Sequence, residues 1–296
     1  SHGTSKPVQV DLREKSDLEL AQLQLHPNDW FVRQARRLLQ ERAPREDTRA
    51  ALETIAFSNQ DETRRLRGLW ALHVHGGLSD AQLRRALRDE SAHVRGWTAR
   101  LACERGEPSS EVFGAIAAAT AQEQSPVALL EFAAALQRIP ATRRWEVLER
   151  LASHGELAAD PNFPLMVWYA LEPLAEVDAA RAMRLAVASR IPLLVGFTAR
   201  RIGAIGDAAS LSTLVEVLAT TPTDEQRLEV LRAINVALRG QRRAQMPTSW
   251  PNTARLLLAS KSAELRAQTL ALALTLTADS QGNVDINEQQ LAQYLN

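Results

Sequence analysis

From Leu12 onward the apolar positions recur three and four residues apart in short runs divided by polar turns, the spacing of amphipathic helices. A first helix is predicted over residues 17–25, with Ser16 as its N-cap, followed by a turn of His26, Pro27, Asn28 and Asp29. A second opens at Trp30-Phe31-Val32-Arg33 and runs through Ala35, Leu38 and Leu39 to about Arg42. The register of that second helix returns at Leu66-Arg67, Val94-Arg95, Val127-Ala128, Leu165-Met166, Leu194-Val195, Leu228-Glu229 and Leu265-Arg266, eight starts separated by 28 to 38 residues. Between them, first-helix candidates lie at 46–57, 79–87, 109–119, 141–151, 177–188, 207–219 and 251–259. One helix pair cannot bury its own apolar stripes and must stack on its neighbours. The pattern therefore predicts an all-α superhelix of about eight helix pairs over residues 6–278, with a tail or capping helix at 279–296.

Val-Arg-x-x-Ala after an Asp- or Asn-bearing turn resembles the inner helix of a HEAT-like repeat, so the fold expected is a HEAT-like α-solenoid. Gly68, Gly96 and Gly196 stand two residues after their starts, and Trp97, Trp168 and Phe197 three after. A small residue followed by a ring predicts close helix approach with the aromatic filling the gap between repeats. Residues 160–174 (DPNFPLMVWYALEPL) concentrate three prolines around an apolar-aromatic run; in this register they form the fifth inner helix, with Trp168 in the slot of Trp97 and Phe197. The interval leading to them is the longest in the array, which marks an irregularity. A second irregularity is 240–251 (GQRRAQMPTSWP), a basic loop longer than the other turns.

Composition agrees with a helical protein. Hydrophobic residues make up 45% and charged residues 24%, with 13 Gly and two Tyr. The 35 basic and 35 acidic residues cancel, so no long-range field draws nucleic acid or an anionic membrane surface. Only Lys6, Lys15 and Lys261 are lysines, a bias that either favours guanidinium recognition of carboxylates and phosphates or follows from genome composition. The single cysteine, Cys103, excludes an internal disulfide and a multi-cysteine metal or haem-attachment motif within these residues. No apolar run reaches the length of a membrane span, and Ser1 to Ser5 (SHGTS) read as an expression-tag remnant.

Candidate chemistry is sparse. Arg33, Arg67, Arg95 and Arg266 occupy one slot of the repeat, either as a ladder for an acidic partner or phosphates or as partners of the carboxylates just before them, such as Asp29 for Arg33 and Asp89 or Glu90 for Arg95, and of helix-terminal carbonyls of the neighbouring repeat. The pairs Arg36-Arg37, Arg64-Arg65, Arg143-Arg144, Arg200-Arg201 and Arg242-Arg243 read as solvated surface. His73 and His75 are two apart, which on a helix points them in different directions and argues against chelation. Residues 279–285 lack the glycine and glutamate spacing of a calcium loop. Glu172, beside Trp168 and Tyr169, is either a buried carboxylate fit for general-acid work or a helix-end carboxylate ahead of Pro173. No nucleophile elbow, P-loop, dinucleotide fingerprint or haem motif occurs. No catalytic, cofactor or metal residue is therefore assigned. The partner-surface candidates are Trp168, Tyr169, Glu172, Arg200, Arg201, Arg242 and Arg243.

The segments LHPNDWFVRQARRLLQER, RLRGLWALHVHGGL and DPNFPLMVWYALEPL together resemble the HEAT-repeat region of large dehydrogenase-like proteins of planctomycetes and verrucomicrobia, over Val10 to about Arg201. The resemblance implies a non-enzymatic scaffold or protein-interaction module. In that family the repeats lie between a β-propeller resembling sugar dehydrogenases of the pyrroloquinoline-quinone type and a C-terminal cytochrome c domain. It also implies an exported, periplasmic setting, the propeller and cytochrome c as partners, and no cofactor in this segment. The alternative is a nucleic-acid-binding HEAT protein similar to the alkylpurine DNA glycosylases, with arginine pairs on phosphates and a residue near Trp168 on a base. Zero net charge and scarce lysine weigh against it.

Overall fold

The computed structural model describes residues 10–239 and 246–277, and every regular element among them is helical. The chain is all-α, and its described residues fall into two compact units, 1–132 and 133–296. None of the described helices is long and apolar enough to cross a membrane. The predicted tail and the pair Arg242 and Arg243 lie outside the described residues.

The first unit holds α1 (Asp17–Gln22), α2 (Asp29–Glu41), α3 (Glu46–Ser58), α4 (Glu62–Val74), α5 (Asp80–Ala86), α6 (Ala92–Ala102) and α7 (Ser110–Gln122), and the division between units falls within α8 (Pro126–Leu136). Odd-numbered helices pack on one another in one layer (α1 on α3, α5 on α7), and α2, α4 and α6 pack in succession in a second. Start signals are local. Ser16 forms a capping box with Glu19, Ser79 another with Gln82, and Asp61, Ser91 and Ser109 accept from backbone N–H groups of the first turn. Leu20, Leu39, Leu52, Leu69 and Leu72, all fully buried, form the seam between the layers.

In the second unit, after a 3-10 turn over Ala141–Arg143, come α9 (Trp145–Leu151), α10 (Phe163–Leu171), α11 (Leu174–Val177), α12 (Ala179–Ala188), α13 (Leu193–Ile205), α14 (Ala208–Thr220), α15 (Asp224–Ala237), α16 (Trp250–Leu258) and α17 (Ala263–Thr277). Here α12, α14 and α16 form one layer and α10, α13, α15 and α17 the other. The helix expected at 177–188 is divided, because Asp178 leaves helical geometry to cap α12 by accepting from the Arg181 N–H. The one expected at 141–151 begins as a 3-10 turn, and its α-helical part starts only at Trp145. All eight predicted starts lie inside helices, seven of them in α2, α4, α6, α10, α13, α15 and α17 and the eighth, Val127-Ala128, in α8.

Three arginines close the loops that precede second-layer helices. Arg65 donates through Nη1 to the carbonyls of Asn59 and Gln60 (both 3.0 Å), Arg95 to those of Asp89 (2.7 Å) and Glu90 (2.9 Å), and Arg266 to that of Ser260 (2.7 Å). The shared slot is thus Arg65, Arg95 and Arg266. Arg67 does not belong to it, since it lies two residues further along α4 and reaches back to the His26 carbonyl (3.1 Å) and Asp29 (3.2 Å). Arg65 and Arg95 also reach forward, as forked pairs to Asp89 and to Glu123 of the next helix pair. Arg33 pairs with Asp29 at 2.5 Å, one of the carboxylate partnerships the sequence offered.

Candidate protein-interaction surface

In the second unit, α10 and α13 bring most of the predicted surface residues together. Asp160 accepts from the N–H groups of Asn162 and Phe163 (both 2.8 Å), which holds its carboxyl below the usual range and starts α10, while Pro164 sits in the first turn, where no intrahelical N–H bond is needed. Trp168 is buried and meets Phe197 of α13 edge-on, with centroids 5.5 Å apart at 80°. It is core and offers no partner surface, whereas Tyr169, one residue on, is 44% exposed. Glu172 is not a buried acid. Its side chain is partly open to solvent and lies 3.4 Å from Nε of Arg201, which also pairs with Glu176. Arg200 lies over the Phe197 ring at 5.9 Å.

Beside this cluster, α13 and α15 border a groove of about 320 Å³ lined by Gly196, Phe197, Arg200, Glu229, Arg232 and Val236. Burial pushes the Glu229 carboxyl above its usual value, opposed by Arg232, which itself pairs with Glu264 of α17. Gly196 opens the groove. A Cβ there would touch nothing within 4 Å, so its role is not the helix approach expected for it. That role belongs to Gly68, where a Cβ would come within 2.6 Å of the Ala56 backbone, to Gly96 against Ala128 and Glu131, and to Gly203 against Ala237, which the sequence reading passed over.

The first unit carries a parallel arrangement on α2, α4 and α6 that sequence reasoning missed. Arg36 lies over the Trp70 ring at 5.0 Å, Trp70 meets Trp97 edge-on at 4.9 Å, and Arg100 lies over Trp97 at 4.8 Å while pairing with Glu131. The signal was present as two tryptophans 27 residues apart, but only Trp97 fell in the aromatic slot.

The double arginines are not uniformly solvated. Arg144 is buried and donates to the carbonyls of Ile139 (3.0 Å), Ala170 (3.1 Å) and Gln137 (3.3 Å), and burial lowers its pKa. Arg65 is likewise buried. In each case one member of the pair faces inward because long-stemmed arginines can satisfy loop carbonyls that no backbone group reaches.

The histidines go separate ways. His73 pairs with Glu104 near the surface, and His75 is buried, its Nδ1 2.8 Å from the Leu39 carbonyl and its Nε2 accepting from the Arg45 N–H at 3.3 Å. Among the described residues no group of three or more His, Cys, Asp and Glu is placed to hold a metal ion. What the geometry offers in each unit is partly exposed rings beside guanidinium groups.

No family model and no curated protein matches the chain. Among solved structures it is similar to the crystal structure of an engineered protein, a Northeast Structural Genomics Consortium target, at 16% identity over 95% of this chain and 71% of that one, with a TM-score of 0.31.

Proposed function

We propose that the chain is a non-enzymatic helical-repeat scaffold that engages a protein partner through the layer of helices that holds the repeat starts in each unit. The observation that carries this reading is the recurrence, in both units, of an aromatic ring flanked by arginine on that layer: Trp70 and Trp97 between Arg36 and Arg100, and Phe197 under Arg200. Rings and arginines are the residues enriched where proteins bind one another. In the parent protein the scaffold links a sugar-dehydrogenase-like propeller to a cytochrome c domain, in an exported setting. That finer role is supported by the resemblance of the three quoted segments. Phosphate recognition is the weaker use of these arginines, because Asp29, Asp89, Glu123 and Glu131 already engage Arg33, Arg67, Arg65, Arg95 and Arg100.

Reading the coding sequence on either side of this segment tests the linking role. A propeller on one side and a Cys-x-x-Cys-His motif on the other is the expected result, and the absence of both overturns it.

A further inference from the structure

The row on α2, α4 and α6 has a feature the groove of the second unit lacks. Arg36 Nη1 and Trp70 Nε1 are both shut off from solvent and neither has a hydrogen-bond acceptor. Leaving a guanidinium N–H and an indole N–H unpaired is unfavourable for the free chain, more so for the charged group. Burial pulls the Arg36 pKa down; Asp29 opposes this, and Arg33 and Arg67 add to it. Three guanidinium groups, Arg33, Arg36 and Arg67, thus gather around one carboxylate, Asp29, which bonds to Arg33 and Arg67 and leaves Arg36 without a partner. The patch is short of negative charge and short of acceptors.

We infer that the second-layer surface of α2, α4 and α6 binds an acidic segment of a protein partner, one side-chain carboxylate pairing with Arg36 and the partner's backbone lying across Trp70 and Trp97. The carboxylate draws the Arg36 guanidinium off the Trp70 ring and supplies its missing acceptor, which frees the ring face and the indole N–H for the incoming chain. Arg100 at the far end keeps Glu131 as its partner, so a second strong anion site is not formed there. A peptide with separated carboxylates fits this spacing. A polyphosphate strand does not, since its charges are fixed in its backbone and would run against Asp29 and Glu131, whereas glutamate side chains can swing clear of them.

The inference rests on the scaffold reading and names its partner's chemistry. To test it, the whole chain is titrated with N-acetylated, C-amidated hexaglutamate at low salt, followed by tryptophan emission and calorimetry, with hexalysine and a short DNA duplex as further probes. Saturable binding of hexaglutamate and none of hexalysine is expected. Arg36→Met should weaken the binding at least tenfold while melting no lower than the unaltered chain, because it removes a solvent-excluded N–H that has no acceptor; Trp70→Phe should weaken it severalfold and keep the ring. The proposal is overturned if hexaglutamate fails to bind, if Arg36→Met binds it equally well or melts lower, or if duplex DNA displaces it at equal concentration. A failure here leaves the scaffold reading standing, since the linking role is decided by the adjoining coding sequence.

Discussion

The helix carrying Gly68 approaches the one before it so closely that a Cβ at position 68 would lie 2.6 Å from the amide nitrogen of Ala56 and 2.9 Å from its Cα. Both neighbouring atoms are backbone and cannot turn aside. Gly68→Ala must therefore push α3 and α4 apart, at a cost of about 2 kcal/mol that outweighs the gain in helix propensity. Gly196→Ala meets open space, so there the propensity gain of about 0.5–1 kcal/mol should appear as stabilisation. Urea melts of the two variants should shift in opposite directions.

Glu123 has a nearly closed side chain gripped by Arg95 Nε and Nη2 at 2.7 and 2.8 Å. Burial pushes its carboxyl up, but Arg95 and the N–H groups of Ser125 and Gln124 together outweigh burial and hold it below the usual value. A carboxyl depressed on folding lends stability that is complete above its unfolded value and is lost as pH falls through the folded one. Glu19 follows the same rule, held to about 2 by the Ser16 N–H, Lys15 and the Ser16 hydroxyl. Stability should fall as pH drops below about 4.5. Glu123→Gln should cost about 2 kcal/mol at pH 7 and flatten that acid limb, as read from melting temperatures between pH 7 and pH 3.

His75 ties three segments together. Nδ1 carries the proton toward the Leu39 carbonyl and Nε2 accepts from Arg45, while Arg49 donates to the carbonyls of His75 (2.5 Å) and Gly77 (3.0 Å) around the left-handed Gly76 and Gly77. Replacing His75 by Ala removes the acceptor of the Arg45 N–H, leaves the Leu39 carbonyl only the N–H of Arg42 and opens a cavity, for an expected loss of about 2–3 kcal/mol in denaturant unfolding.

Trp168→Ala removes a buried ring and its edge-on contact with Phe197, so a loss of about 3–4 kcal/mol is expected. Tyr169→Ala, on the open side of the same helix, should stay within about 0.5 kcal/mol. Thermal unfolding of the two variants separates core from surface within residues 160–174.

Much of this architecture was legible in the sequence because it is local. The cap at Ser16 and the apolar spacing that buries Val32, Ala35 and Leu39 need only neighbouring residues to be read. What depends on partners twenty or more residues away was not legible. Arg65 and Arg144 look like solvated charges until the carboxylate of Asp89 and the carbonyl of Ala170 are seen beside them. The Arg67 slot was misread by counting from apolar residues, when the physical reference is the loop each arginine closes. The aromatic slot placed Trp168 against the next repeat, where it meets Phe197, so counting the same residue as partner surface was the error; Trp70 and Arg36 were missed, because their meaning lies in contacts between helices.

Arg65 and Arg95 each hold the loop behind them and a carboxylate in the pair ahead, so no helix pair in this part of the chain is finished until its successor has docked. Folding free energy in the first unit is therefore shared between nearest neighbours, as in a one-dimensional chain of linked switches. Cutting between α6 and α7 should do more than remove the residues beyond the cut. It should strip Arg95 of Glu123, loosen the 89–91 turn and pass the weakness back toward Arg65, so that amide exchange spreads inward from the new end one repeat at a time.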